Sequence, residues 1–190
     1  LEKAANGLRY PEDAELAAIG AKRDLVVLHK DSTGAVWYPK ADRSIRFDTG
    51  AIIDVQPTAG PLEAAVKQAQ AGDIIRLAAG DYRVSRVLVI DKPLTFAANN
   101  DVVVQFERTT LFEIADGGSL KLSGLAVSGK SSPDNVGNSV IRPSRYSMLI
   151  NYQVEVENSR FSDLDVNRSF NFLNVAKSTM ADSISIVDSQ

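Results

Sequence analysis

The residues best suited to chemistry fall in two stretches of the second half of the chain. Arg142-Pro143-Ser144-Arg145-Tyr146 follows a polar run, Lys130-Ser131-Ser132-Pro133-Asp134-Asn135-Val136-Gly137-Asn138. Two guanidinium groups and an aromatic ring suit an acidic sugar: the cations bond a carboxylate and the ring stacks on the sugar face. Lys130 joins them where the loop folds back. A solvated loop with ordinary surface ion pairs is the plainer alternative. The second stretch, Asp163-Leu164-Asp165-Val166-Asn167, sets three oxygen-bearing side chains at alternate positions. On a strand they would share one face and could collect Ca²⁺. The alternative is a wet outer strand face with Leu164 and Val166 turned inward. An EF-hand loop is excluded, because its sixth position would be Arg168 rather than Gly and its twelfth Asn174 rather than Glu.

Much other chemistry is ruled out by composition. The 190 residues include no cysteine and a single histidine, His29. Thiol nucleophiles, zinc–thiolate centres and two-histidine mechanisms are therefore absent. His29 beside an apolar strand reads as structural. No Ser/His/Asp set, phosphate-binding loop or dinucleotide fingerprint occurs. The net charge of −3 argues against nucleic acid as a partner, since phosphate binding favours a basic surface. No apolar run reaches the ~18 residues of a membrane span. Glu107, Arg108 and Glu113 read as an outward ion-paired group.

The elements that must position these residues change character along the chain. Residues 1–60 are mixed: Leu1–Leu8 and Pro11–Gly20 carry helix signals, Leu25–Leu28 reads as a strand, and Asp31-Ser32-Thr33-Gly34 as a turn. Trp37 would pack this segment onto the next domain. The strongest helix spans Pro61–Ala71: Leu62, Ala65, Val66 and Ala69 form one apolar stripe between an initial proline and Gly72. Asp73–Leu77 then reads as a strand and Ala78–Tyr82 as a turn. Beyond Ile74 only short apolar runs recur, each one strand long: Val87–Ile90, Leu94–Phe96, Val102–Phe106, Leu111–Ile114, Leu120–Leu122, Leu125–Val127, Val140–Ile141, Met148–Ile150, Val154–Val156, Phe170–Val175 and Ile184–Val187.

Their spacing indicates a repeat. Leu120-Lys121-Leu122, Val154-Glu155-Val156 and Ile184-Ser185-Ile186 share an apolar–polar–apolar opening, and each reaches a turn-prone residue two positions later, at Gly124, Asn158 and Asp188. Leu94-Thr95-Phe96 fits the same frame. Recurrence within the range of about 20–50 residues signals a solenoid, in which inward side chains stack into apolar columns. The all-β expectation is thus a right-handed parallel β-helix of about five coils over 61–190, sealed at its open end by the helix at 61–71 and preceded by a mixed segment, 1–60. Asn or Asp at the bends could bond along the axis.

Leu62-Glu63-Ala64-Ala65-Val66, Ala71-Gly72-Asp73-Ile74-Ile75-Arg76-Leu77 and Gly80-Asp81-Tyr82 resemble the opening of pectin-lyase-like β-helices, where a capping helix runs into the first coil. More narrowly, Leu111–Leu125 and Ser178–Ser189 resemble the second, C-terminal β-helix domain of polysaccharide lyase family 6, which includes alginate lyases and the chondroitinase-B type. The resemblance implies a bacterial, secreted or periplasmic enzyme that degrades an acidic polysaccharide, alginate foremost, by β-elimination. In that family Ca²⁺ neutralises the uronate carboxylate, a lysine is the base and an arginine assists. Those residues sit on a preceding β-helix domain, and their set does not map onto this chain. The expected role is a non-catalytic accessory domain packed against that preceding domain.

Leu1 in place of Met, and an alternating Ser183–Gln190 end without a stop signal, lead to the expectation of a segment cut from a longer polypeptide. Two other readings remain open: a carbohydrate-binding or structural β-helix without catalysis, and a hydrolase of the same superfamily. The latter needs paired aspartates on a strand face, for which Asp163 and Asp165 are the sole candidates in the repeat region.

Overall fold

The computed structural model describes residues 12–18, 26–28, 37–39, 47–58, 60–99, 101–144, 148, 150–175 and 179–190. Leu1–Leu8, His29, Asp31–Gly34, Arg145 and Tyr146 lie outside them, as does the side chain of Trp37. Helix α1 covers Asp13–Ala18, within the stretch read as helical. Strands β1 (Val26–Leu28) and β2 (Trp37–Pro39) pair antiparallel in a two-stranded sheet of their own.

The rest is a parallel β-helix with three stacked sheets. The largest runs β3 (Ile52–Val55), β4 (Ile74–Leu77), β7 (Pro93–Ala98), β10 (Ser119–Ser123), β13 (Tyr152–Glu157) and β16 (Ala181–Val187). The second stacks β5 (Gly80–Val84), β8 (Val102–Phe106), β11 (Ala126–Ser128) and β14 (Arg160–Ser162). The third stacks β6 (Leu88–Ile90), β9 (Thr110–Ile114), β12 (Ser139–Pro143) and β15 (Asn171–Leu173). Every ladder among these strands is parallel.

The repeated frame is the register. Leu94, Leu120, Val154 and Ile184 are successive partners, as are Phe96, Leu122, Val156 and Ile186. Alternation turns these residues inward, and from Leu94 through Val156 they are at most 1% exposed. Ile184 and Ile186 occupy the same columns but are 46% and 52% exposed, because among the described residues β16 is the edge strand of its sheet. Gly124, Asn158 and Asp188 all adopt positive φ (71°, 48° and 48°), as the bend requires. The groups that bond along the axis there are serines one residue further on. Ser159 Oγ accepts from Leu125 N (3.2 Å), and Ser189 Oγ accepts from Ser159 N (3.1 Å).

Helix α2 (Pro61–Gln68) buries Leu62, Ala65 and Val66 against the first coil and packs on β3 and β6. It ends three residues before the expected Ala71 because Ala69 turns to an extended conformation (ψ 149°). Several sequence expectations shift. β3 pairs in register with β4, so the stack already includes Ile52–Val55, on the other side of the 60/61 division. Gly80–Val84 is a strand rather than a turn, and Arg160–Ser162 is a strand the apolar runs do not mark. Met148 and Ile150 lie outside regular structure.

Candidate functional site

On the outer face of the largest sheet, alternation places Thr95, Lys121 and Glu155 side by side in register. Lys121 Nζ lies 2.8 Å from Asp48 Oδ2 and 3.3 Å from Glu157 Oε1, with only 15% of its side chain exposed. The hydrogen bond to Asp48, reinforced by the charges of Asp48 and Glu157, raises the ammonium above the ordinary lysine range against the effect of burial. Burial pushes the Asp48 carboxyl up, but the bond and charge of Lys121 prevail and hold it below the ordinary value. A lysine fixed in this way stays protonated and cannot take a proton as a base. Sequence reading misses the cluster because Asp48 precedes β3, the first strand of the solenoid, and meets Lys121 73 residues later. On the same face Arg76 grips Asp54 with both oxygens engaged, at 2.6 and 2.9 Å.

Of the predicted sugar-binding residues, Arg145 and Tyr146 lie outside the described residues, and Arg142 and Lys130 sit by different strands. Arg142, on β12, gives Nε and Nη2 to Glu113 Oε2 on β9 (3.0 and 2.6 Å). Glu113 therefore pairs across the rungs and not with Arg108, whose Nε donates to Ser85 O (2.8 Å). Glu107 lies 3.8 Å from Arg83. Lys130 belongs to another wall: it is exposed just after β11, and its charge acts on Asp163.

Of the proposed cation ligands, Asp165 and Asn167 line one cavity of about 460 Å³ together with Asp134, and Asp163 is not among its lining residues. Residues 163–170 form turns rather than a strand, so Asp163, Asp165 and Asn167 do not line up on one strand face. Asp163 itself is left-handed (φ 54°), which breaks the alternation that the sequence suggests. Its Oδ2 accepts from Ser128 Oγ (2.6 Å) and Ser162 Oγ (3.0 Å), and these two bonds hold its carboxyl below the usual range. Asn167 Oδ1 accepts from Ser169 N and Oγ (2.9 and 2.7 Å), while its Nδ2 donates to Asp134 (2.6 Å). Asn167 thus staples the 130–138 loop to the turn one coil on. Among the described residues no three His, Cys, Asp or Glu side chains gather as a metal site.

One concave feature lies away from both predicted stretches. A cavity of about 300 Å³ opens between α2 and β6, lined in part by Glu63, Lys67, Arg86, Val89, Asp91 and Lys92. The sequence carries a signal for it in the polar side of α2, whose apolar stripe alone marks the helix.

A helix-capped parallel β-helix with charged outer faces defines the class of protein. Two solved structures resemble the chain throughout: "Structure of PL6 family alginate lyase AlyGC" and the structure of an arginine-to-alanine variant of that enzyme. Each shares 38% identity over 100% of this chain, with a TM-score of 0.76. The chain is related to the alginate lyases of polysaccharide lyase family 6. It spans 26% of the length of either of those proteins. No protein-family model and no curated protein matches it.

Proposed function

We infer that the chain is an accessory, non-catalytic β-helix of a polysaccharide lyase that cleaves an acidic glycan, alginate foremost, by β-elimination. The observation that carries this reading is the 38% identity to a family 6 alginate lyase across the whole chain, against 26% of that enzyme's length. The accessory role is supported by the state of the charged residues. Lys121 is locked between carboxylates and Arg142 is tied to Glu113, so neither is poised as base or proton donor. On this reading Ca²⁺ and the catalytic lysine and arginine belong to a preceding β-helix domain. The enzyme would act outside the cytoplasm, in the periplasm or the medium. No helix among the described residues is long and apolar enough to cross a membrane.

The test is to incubate this chain, and separately a longer polypeptide that contains it, with alginate and with chondroitin sulfate. Release of unsaturated uronate ends is followed by absorbance. The expected result is a silent chain and an active longer polypeptide. Activity of the chain alone overturns the accessory role. Silence of both on both glycans overturns the lyase reading in favour of a binding or structural module.

A further inference from the structure

We propose that the cavity between α2 and β6 is a binding subsite for one uronate residue of an acidic glycan. The choice of a uronate among organic anions rests on the function proposed above; the cavity's charge and bonding capacity do not.

Glu63 and Lys67 stand one turn apart on α2, Arg86 lies in the turn between β5 and β6, and Asp91 and Lys92 follow β6. Lys92 and Asp91 neutralise each other at 2.8 Å. Among the described residues Lys67 and Arg86 have no ion-pair or hydrogen-bond partner, unlike Arg76, Arg108 and Arg142. Two uncommitted cations on one concavity favour a carboxylate, which a guanidinium binds through paired hydrogen bonds. Glu63 lines the same cavity, but its Oε2 is shielded from solvent and is left to no ligand. The exposed Val89, at 47%, supplies an apolar wall for the C–H face of a ring. A volume of about 300 Å³ lies at the small end of ligand pockets, which suits one ring rather than a chain of rings. An anionic group for the two cations and a ring face for the apolar wall together suit a uronate.

The experiment is an NMR titration of the ¹⁵N-labelled chain with a three-residue uronate oligomer cut from alginate, with a neutral mannose trimer and with acetate. The uronate oligomer is expected to shift the amides of 63–68 and 86–92 saturably. The neutral trimer and acetate should each bind at least about tenfold more weakly. The double variant Lys67→Ala/Arg86→Ala changes exposed residues and should melt like the parent, yet lose at least about tenfold in affinity. Raising salt to 1 M should weaken binding of the parent chain more than that of the variant. Absence of uronate-induced shifts, shifts confined to another face, equal binding of acetate, or unchanged affinity in the double variant each overturns the proposal. Failure here is separable from failure of the lyase reading. Binding at this cavity with no glycan cleaved by the longer polypeptide leaves the subsite standing. Cleavage of alginate with an unaffected double variant does the reverse.

Discussion

Arg142 directs two nitrogens, Nε at 3.0 Å and Nη2 at 2.6 Å, to a single oxygen of Glu113 on the neighbouring rung. Both side chains are mostly shielded, at 15% and 22% exposure, so water screens the pair only in part. A double-mutant cycle with Arg142→Ala and Glu113→Ala is expected to give a coupling of about 1–3 kcal/mol in urea unfolding. Because the guanidinium already has its anion, Arg142→Ala should leave the affinity of the chain for alginate oligomers unchanged, measured by the same NMR titration.

Two buried tyrosines should respond oppositely to loss of their hydroxyl. Tyr82 donates to Val55 O (2.7 Å) and also lies 2.9 Å from Ala78 O, tying the first coil to β3. The Tyr152 hydroxyl is buried with no partner among the described residues. Tyr82→Phe is expected to cost about 1–2 kcal/mol by leaving carbonyls unpaired. Tyr152→Phe should be neutral or stabilising by up to about 1 kcal/mol, since it removes an unsatisfied group. Denaturant midpoints of the two variants decide this.

The bends differ in what they tolerate. A Cβ on Gly124 would run into the carbonyl of Ala98, and the residue already sits at φ 71°. Gly124→Ala should therefore destabilise by about 2 kcal/mol or more, combining backbone strain with a collision that the rung cannot relax. Asn158 occupies the equivalent left-handed position at φ 48° with a side chain in place. Asn158→Gly should stay within about 1 kcal/mol of the parent. Thermal melts of the pair test the contrast.

Lys121 and Asp48 predict the pH profile. The folded Asp48 carboxyl lies below its unfolded value near ~3.9, so its contribution is present above that pH and fades as pH falls through the folded value. The folded Lys121 ammonium lies above its unfolded value near ~10.4, so its contribution is present below that pH and fades as pH rises through the folded value. Lys121→Met should flatten both limbs of a plot of urea midpoint against pH. Asp48 is 37% exposed, so solvent limits its share of the effect. A profile for Lys121→Met parallel to the parent's would show that the cluster does not set it.

The columns of the solenoid are legible in the sequence because burial imposes alternation locally. Leu120-Lys121-Leu122 and Val154-Glu155-Val156 state their inward faces without knowledge of their neighbours. β3 escapes notice because Ile52-Ile53-Asp54-Val55 precedes the helix and groups with the mixed segment. Asp163-Leu164-Asp165-Val166-Asn167 misleads for a physical reason. Its alternation imitates a strand, but the positive φ of Asp163 turns the chain there, and no side-chain pattern reports a backbone dihedral. The Arg142–Glu113 and Lys121–Asp48 pairs join residues 29 and 73 apart. The first distance is fixed by coil length, which the 129–138 loop obscures, and the second spans the helix and several coils.

The parallel ladders also govern how the molecule assembles. Among the described residues no hairpin joins neighbours within a sheet of the solenoid; register partners lie from 21 residues apart, at Ile74 and Thr95, to 34 apart, at Leu120 and Val154. Each turn of the spiral must wait for its predecessor to present a template, so loop-closure entropy is met repeatedly before contacts reward it. Growth should begin at the helical plug and advance in one direction, slowly, in step with emergence from the ribosome. The frontier of that growth is always a bare apolar row like Ile184 and Ile186, which makes unfinished chains the ones prone to clump.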